Sequence, residues 1–314
     1  MGTNFRNTYP IVIPTLNRFE HFKNCVESLS RCSLADRTEL IIGLDYPPSD
    51  KYRTGWNSIK EYIPKIIGFK KVTVLESTSN VGAVENCNQL RRYVKKLGYD
   101  AFIITEDDNV FAPGFLEYIN WGLSYFKDDK SILAICGYKR VEVSFLKNNV
   151  YKYPRFVAWG YGMWFDRRDR LETFANFDFL KNYLDHISLL SVFTNKVLFA
   201  NSVMTMLKKQ AIYGDTLPGF LPKEEQYCVF PKHSLVRNEG FDGSGLHNGY
   251  SPEAIQRYHK ADIDNSEHFE PHIEEPLYHK RLKKIYDKTY GCTFLEYTRA
   301  AAKFLIYYFT GKLY

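Results

Sequence analysis

No apolar run in this chain reaches the roughly 20 residues that span a bilayer. Its opening, MGTNFRNTYPIVIP, has neither the charged start nor the long apolar core of a secretory leader. Arg6 stands where a myristoylation signal after Gly2 needs serine or threonine. These absences predict a cytoplasmic protein. Cysteine is sparse: Cys25, Cys32, Cys87, Cys136, Cys228 and Cys292 are scattered, with no CxxC pair and no metal-ligand spacing. Reduced, mostly buried thiols are therefore expected. There is no GxGxxG and no GxxxxGK[ST], so neither a dinucleotide fingerprint nor a P-loop is available. The net charge of +6 points to anionic partners, but no compact Lys/Arg stripe alternates with aromatics through the main body. That argues against nucleic acid.

The composition that remains, 45% hydrophobic and 25% charged over 314 residues, is that of a globular chain with a sizeable core. Short apolar runs alternate with helical patterns through the first half. Tyr9 to Pro14, Glu39 to Leu44, Lys71 to Leu75, Ala101 to Ile104 and Ile132 to Cys136 read as strands. Helices are predicted from the spacing of Phe22, Cys25, Val26 and Leu29, around Ile59 to Ile63, over Val84 to Leu97, and over Phe115 to Phe126. The alternation predicts an α/β fold with a mostly parallel sheet. The polar strand ends, Thr15 to Arg18, Asp45, Asn80 and Glu106 to Asp108, then share the sheet edge where ligands bind in such folds.

The most informative stretch is AFIITEDDNVFAP, residues 101–113. A buried strand runs directly into Glu106, Asp107 and Asp108. Three adjacent carboxylates repel one another and are costly to bury without a cation. A hard divalent ion shared with a substrate's phosphates explains them. A solvated acidic turn leading into the helix after Pro113-Gly114 explains them as well.

The second half is less regular. Phe156 to Phe165 mixes aromatics with Gly160 and Gly162, and Trp159 with Gly160 suits either a sugar-stacking surface or an aromatic core at a tight turn. Cys228 to Pro231 and Ser234 to Val236 suggest a late hairpin. Gly240 to His247 is a glycine-rich loop ending in a histidine. Beyond Pro252 the sequence becomes charged, and the tail combines a basic stretch, Lys280 to Tyr286, with an aromatic helix, Phe294 to Tyr308. Such a helix reads either as a membrane-surface anchor or as a helix docked on the main domain.

In their order and spacing, IVIPTLNR, LIIGLDYP, SNVGAVENCNQL, FIITEDDNVFAPGFLEY, the WGYGMWFDRR region and VFPKHSLVRNEGFDGSGLH resemble the nucleotide-sugar glycosyltransferases of the GT-A fold. The likeness is greatest to family 2-type bacterial enzymes. It extends distantly to the N-acetylglucosaminyltransferase that begins complex N-glycan formation. The resemblance implies a GT-A domain over residues 1–250, with a nucleotide-sugar-binding half (1–140) and an acceptor-side half (141–250). A charged linker and tail follow over 251–314. It implies that Thr15, Asn17, Arg18, Asp45, Asn80 and Gly82 contact the nucleotide, and that Glu106 and Asp107 lie beside sugar and ribose with Trp159 and Gly160 near them. Asp108 would ligate Mn²⁺ or Mg²⁺, with His247 adding a metal or phosphate contact. Relatives carry the catalytic base in a Trp-Asp or Asp-Ser-Trp motif, whereas here the nearest match is Gly214-Asp215-Thr216. Asp215 is assigned as base with Glu224 and Glu225 as rivals.

The expected activity is metal-dependent, inverting transfer of a sugar from a UDP-sugar to a hydroxyl of a glycan or lipid-linked acceptor. The expected setting is bacterial surface polysaccharide synthesis, on the inner face of the membrane. A sugar nucleotidyltransferase is the first alternative, but it would carry a basic glycine-rich loop where Thr15-Leu16-Asn17-Arg18 stands. A non-catalytic sugar-nucleotide-binding protein is the second.

Overall fold

The computed structural model describes residues 8–147, 149–175, 179–207, 226–245, 249–259, 263 and 280–312. Strands β1 (Ile11–Thr15), β2 (Glu39–Leu44), β3 (Lys71–Glu76) and β4 (Ala101–Ile104) form where the apolar runs predicted them. Between them lie α1 (Phe19–Ser30), α2 (Arg53–Tyr62) and α3 (Ala83–Lys96). A three-residue strand, β5 (Asn109–Phe111), follows the acidic turn. Then come α4 (Phe115–Tyr125), β6 (Ile132–Cys136), β7 (Val150–Tyr153) and β8 (Tyr161–Trp164). Helices α5 (Phe165–Ala175), α6 (Phe179–His186), α7 (Leu189–Thr194) and α8 (Lys196–Leu207) lead to β9 (Tyr227–Pro231) and β10 (Val236–Asn238). A single turn, α9 (Pro252–Ala254), and two tail helices, α10 (Lys280–Tyr290) and α11 (Phe294–Thr310), complete the described elements.

Eight strands form one sheet in the order β3-β2-β1-β4-β8-β6-β9-β7. The first four run parallel, with Ile11 opposite Leu40 on one side and Ile103 on the other. Crossover helices between parallel neighbours bury strands on both faces, which is why β1, β2 and β4 read as continuous apolar runs. β8 is antiparallel to both β4 and β6, so a strand from the second half closes the open side of β4. This is the mostly parallel, helix-flanked α/β sheet that the sequence predicts.

The late hairpin does not form. β9 enters the main sheet between β6 and β7, whereas β10 pairs antiparallel with β5 in a separate two-stranded ribbon. The Pro231 to Ser234 segment looks like a hairpin turn, yet Leu235 donates its N–H to Gly137 and accepts from Ala112, drawing the chain across to the acidic turn. All six cysteines are free thiols, four of them buried. No helix among the described residues is long and apolar enough to cross a membrane. The tail is docked: Tyr286 of α10 stacks on Tyr153 of β7, and α11 packs against α8 and α6.

Candidate active site

Parallel pairing sets the ends of β1, β2 and β4 side by side, and the side chains just beyond them form two linked clusters. The first centres on Asp45, at the end of β2. Its carboxylate accepts hydrogen bonds from the backbone N–H groups of Tyr46 (2.8 Å), Val81 (2.9 Å) and Gly82 (2.9 Å), and from the Asn80 amide (3.1 Å). Gly82 precedes α3 with φ +81° and ψ 160°, a conformation open essentially to glycine alone. Asp45 thus clamps the SNVG loop to the end of β2, and it ties back to β1 by donating its own N–H to the Thr15 carbonyl.

The second cluster surrounds the acidic turn. Asp107 and Asp108 are buried, whereas Glu106 reaches solvent. Thr15 donates its hydroxyl to Asp107 Oδ2 at 2.7 Å. Arg18, at the start of α1, spans the pair: one guanidinium nitrogen donates to Asp107 Oδ1 and the other to Asp108 Oδ2 at 2.8 Å. Asn238, from β10, donates to Asp108 Oδ1 at 2.7 Å and to the Asn109 side-chain oxygen at 2.9 Å. The four carboxylate oxygens of Asp107 and Asp108 are therefore all engaged. Gly240 follows closely, and a Cβ there would lie 2.1 Å from Asp108 Oδ2. The glycine-rich segment continues along α1, where His21 Nε2 and Asp242 Oδ2 are 2.9 Å apart.

The charges respond to this crowding. Burial pushes the Asp107 carboxyl above its usual range and Asp108 adds to the effect, while Arg18 pulls it down. The Glu106 carboxyl is raised too, by partial desolvation at the crevice and by the neighbouring Asp108 and Asp107, opposed by Arg18; because Glu106 itself reaches solvent, the shift is modest beside that of a fully enclosed acid. Burial by itself would lower the Arg18 pKa, but the two aspartates raise it, so the guanidinium stays charged.

The structure brings Thr15, Arg18, Asp107 and Asp108 together, and Asp45, Asn80 and Gly82 together. Asn17 lies in the same β1–α1 loop, where its carbonyl accepts the Phe19 N–H. Trp159 stands apart from an open sugar platform. It is nearly buried in an aromatic cage, edge-on to Tyr138 (4.7 Å), Tyr258 (5.1 Å) and Phe241 (6.0 Å). Gly160 takes φ +63°, with Phe111 and Phe115 against it. Asp215, Glu224, Glu225 and His247 lie outside the described residues. The sequence does not single out Asn238, and it gives Gly240 only as the first residue of the glycine-rich loop. The signal is the Asn-Glu pair immediately before that loop, recognisable only once β10 is seen to return to the acidic turn.

The donor set suits a hard divalent cation, since carboxylate oxygens are the ligands Mg²⁺ and Mn²⁺ prefer. Arg18 occupies that position with its own positive charge, and among the described residues no three His, Cys, Asp or Glu side chains are gathered to hold an ion. The carboxylates fit the ion once the guanidinium gives way.

The sequence profile of Glycosyl transferase family 2 matches residues 11–191, more than half of the chain. No curated protein sequence matches it. Among solved structures, the chain is similar to a mannosyltransferase, PcManGT from Pyrobaculum calidifontis in complex with GDP-Man and Mn²⁺. That pair shares 17% identity at a TM-score of 0.37, covering 54% of this chain and 47% of that one. It is also similar to the WbbM bifunctional glycosyltransferase (13%, TM-score 0.30, 56% and 34%) and to S. aureus TarS (13%, TM-score 0.28, 38% and 20%). The chain spans between a fifth and about half the length of these structures.

Proposed function

The chain belongs to glycosyl transferase family 2, whose members transfer sugars from nucleotide-sugar donors, and from that premise we propose a metal-dependent, inverting transferase acting at the Asp107–Asp108 crevice. One observation carries the site assignment. Thr15 and Arg18 from the end of β1 and the start of α1, and Asn238 from the distant β10, converge on two buried carboxylates at the end of β4. Buried acids supported so fully, at the sheet edge where ligands bind, are expensive to keep without a use.

On this reading the donor is a UDP-sugar lying along the ends of β1 and β2. Thr15, Asn17 and Arg18 line one wall, and the Asp45-clamped loop with Asn80 and Gly82 lines the other. Glu106 and Asp107 face sugar and ribose, with Trp159 and Gly160 shaping the far side. Asp108, with His247 from the late loop, would hold Mn²⁺ or Mg²⁺, which when bound supplies charge neutralisation for the departing diphosphate. Arg18 reaches the nucleotide by leaving at least one of its aspartates. Asp215, or its rivals Glu224 and Glu225, accepts the proton of the acceptor hydroxyl. That oxygen attacks the anomeric carbon as the bond to the diphosphate breaks, and one displacement inverts the centre. The acceptor is a glycan or a lipid-linked sugar, in surface polysaccharide synthesis.

The test is a thermal-shift and hydrolysis screen of UDP-, GDP- and dTDP-sugars, each with Mn²⁺ or EDTA. Stabilisation by one donor class, abolished by EDTA and by Asp108→Ala in a folded protein, is expected. Full turnover by Asp108→Ala would remove the metal role.

A further inference from the structure

Helix α11 is apolar on two opposite sides. Its buried side, Ala300, Phe304 and Tyr307, packs toward α8 and α6. With 3.6 residues per turn, Phe294, Ala302, Leu305 and Phe309 fall on the diametrically opposite side, with Leu295 and Ile306 beside them. There Phe294 is 83% exposed, Leu295 65% and Phe309 78%. A terminal helix that only docks should be polar on its outer side. This one is apolar there as well.

The neighbourhood adds to the patch. α7 is tied to the first turn of α11 by the Tyr297 hydroxyl, which donates to the Val192 carbonyl at 3.4 Å. Its own Leu190 and Phe193 are exposed by 70% and 58%.

Charge identifies the occupant. Residues 280–312 hold eight Lys or Arg and two Asp or Glu, so this segment alone accounts for the +6 of the whole chain. Both acids are committed internally: Asp287 pairs with Lys283, and Glu296 closes the capping box with Thr293. Arg299 and Lys303 flank the apolar side of α11, and Lys312 follows its end. A second copy of the chain would set two such cationic segments against each other, a repulsive arrangement. An anionic surface would be attracted.

We propose that α11, together with the tip of α7, seats the protein on an anionic lipid bilayer. The Phe294–Leu305–Phe309 side enters the boundary between headgroups and acyl chains, while Arg299, Lys303 and Lys312 meet lipid phosphates. The helix lies on the membrane and does not span it, since Glu296, Arg299 and Lys303 interrupt its apolar residues.

The experiment is co-sedimentation of the full chain with vesicles of phosphatidylcholine containing phosphatidylglycerol, against pure phosphatidylcholine, at low and high salt. Binding to the anionic vesicles only, weakened by salt, is expected. Phe309→Ser should weaken it about tenfold by removing one buried aromatic side chain. Arg299→Gln with Lys303→Gln should weaken it and flatten the salt dependence. Circular dichroism and melting confirm that each variant is folded, and Phe294→Ser probes the same side if Phe309→Ser is not. Equal binding to both vesicle types, no binding, or unchanged binding by Phe309→Ser would overturn the proposal. So would a dimer that this substitution dissolves. Donor hydrolysis without vesicles is measured in parallel, so loss of membrane binding is distinguished from loss of the donor site.

Discussion

Arg18→Ala is the substitution that tests the crevice most directly. The guanidinium bridges Asp107 and Asp108, both nearly buried, and is itself 17% exposed. Removing one partner of a buried ion pair costs about 3–5 kcal/mol, because the remaining charge is stranded. Two features reduce that figure here. The Arg18 side chain is partly solvated, and Asp107, whose carboxyl is already pushed above its usual range, can take up a proton when its cation is gone. A loss of about 2–3 kcal/mol in EDTA is expected, or roughly 4–6 °C in melting temperature for a chain of this size. Divalent metal should reverse the deficit. An ion entering the wild-type crevice has to displace Arg18, whereas in the variant it meets two unpartnered carboxylates. Mn²⁺ should therefore bind the variant tighter by up to ~2 kcal/mol, about thirtyfold, and restore stability as its concentration rises. The assay is urea denaturation in EDTA and in Mn²⁺, with calorimetric titration of Mn²⁺ into both proteins. Arg18→Lys serves as a control that keeps the charge and loses the fork. A variant as stable as wild type in EDTA, with no tighter Mn²⁺ binding, would refute the reasoning.

Other perturbations separate scaffold from chemistry. Asp45→Ala removes the acceptor of four N–H groups, so it should cost about 2–4 kcal/mol by urea denaturation without any nucleotide present; a loss under ~1 kcal/mol would mean that the clamp is not structural. Gly240→Ala places a methyl 2.1 Å from Asp108 Oδ2, where the local backbone tolerates alanine but the space does not. It should cost about 1–3 kcal/mol and reduce donor turnover measured well below the melting temperature. Wild-type turnover would show that the late loop need not lie so close.

Much of the first half is legible because its physics is local. β2, β4 and β6 are short apolar runs bounded by polar or breaking residues, and their limits are those the sequence predicts. β8 is not legible. Tyr161, Gly162, Met163 and Trp164 are all buried, so no alternation marks a strand, and Gly162 with Gly160 just before the strand suggests a turn. β5 is only three residues long and opens with a polar Asn109, which becomes buried because Asn238 and Thr105 satisfy it. The mistaken hairpin has the same origin. Local sequence indicates an extended segment at Ser234 to Val236, but the strand's extent to Asn238 and the choice of β5 as partner depend on a return across the fold.

The pairing of Asn238 with Asp108 also governs when the crevice can exist. The two residues are 130 positions apart, and β10 follows in the chain directly after β9, which lies between β6 and β7. Contacts of such sequence separation contribute only once a long loop has been closed, at an entropic cost local contacts do not carry. As the chain emerges from synthesis, Asp107 and Asp108 have Thr15 and Arg18 available well before Asn238 and Gly240. Arg18 then serves a nascent acidic turn as an internal counter-ion, holding it closed until the rest of the crevice arrives.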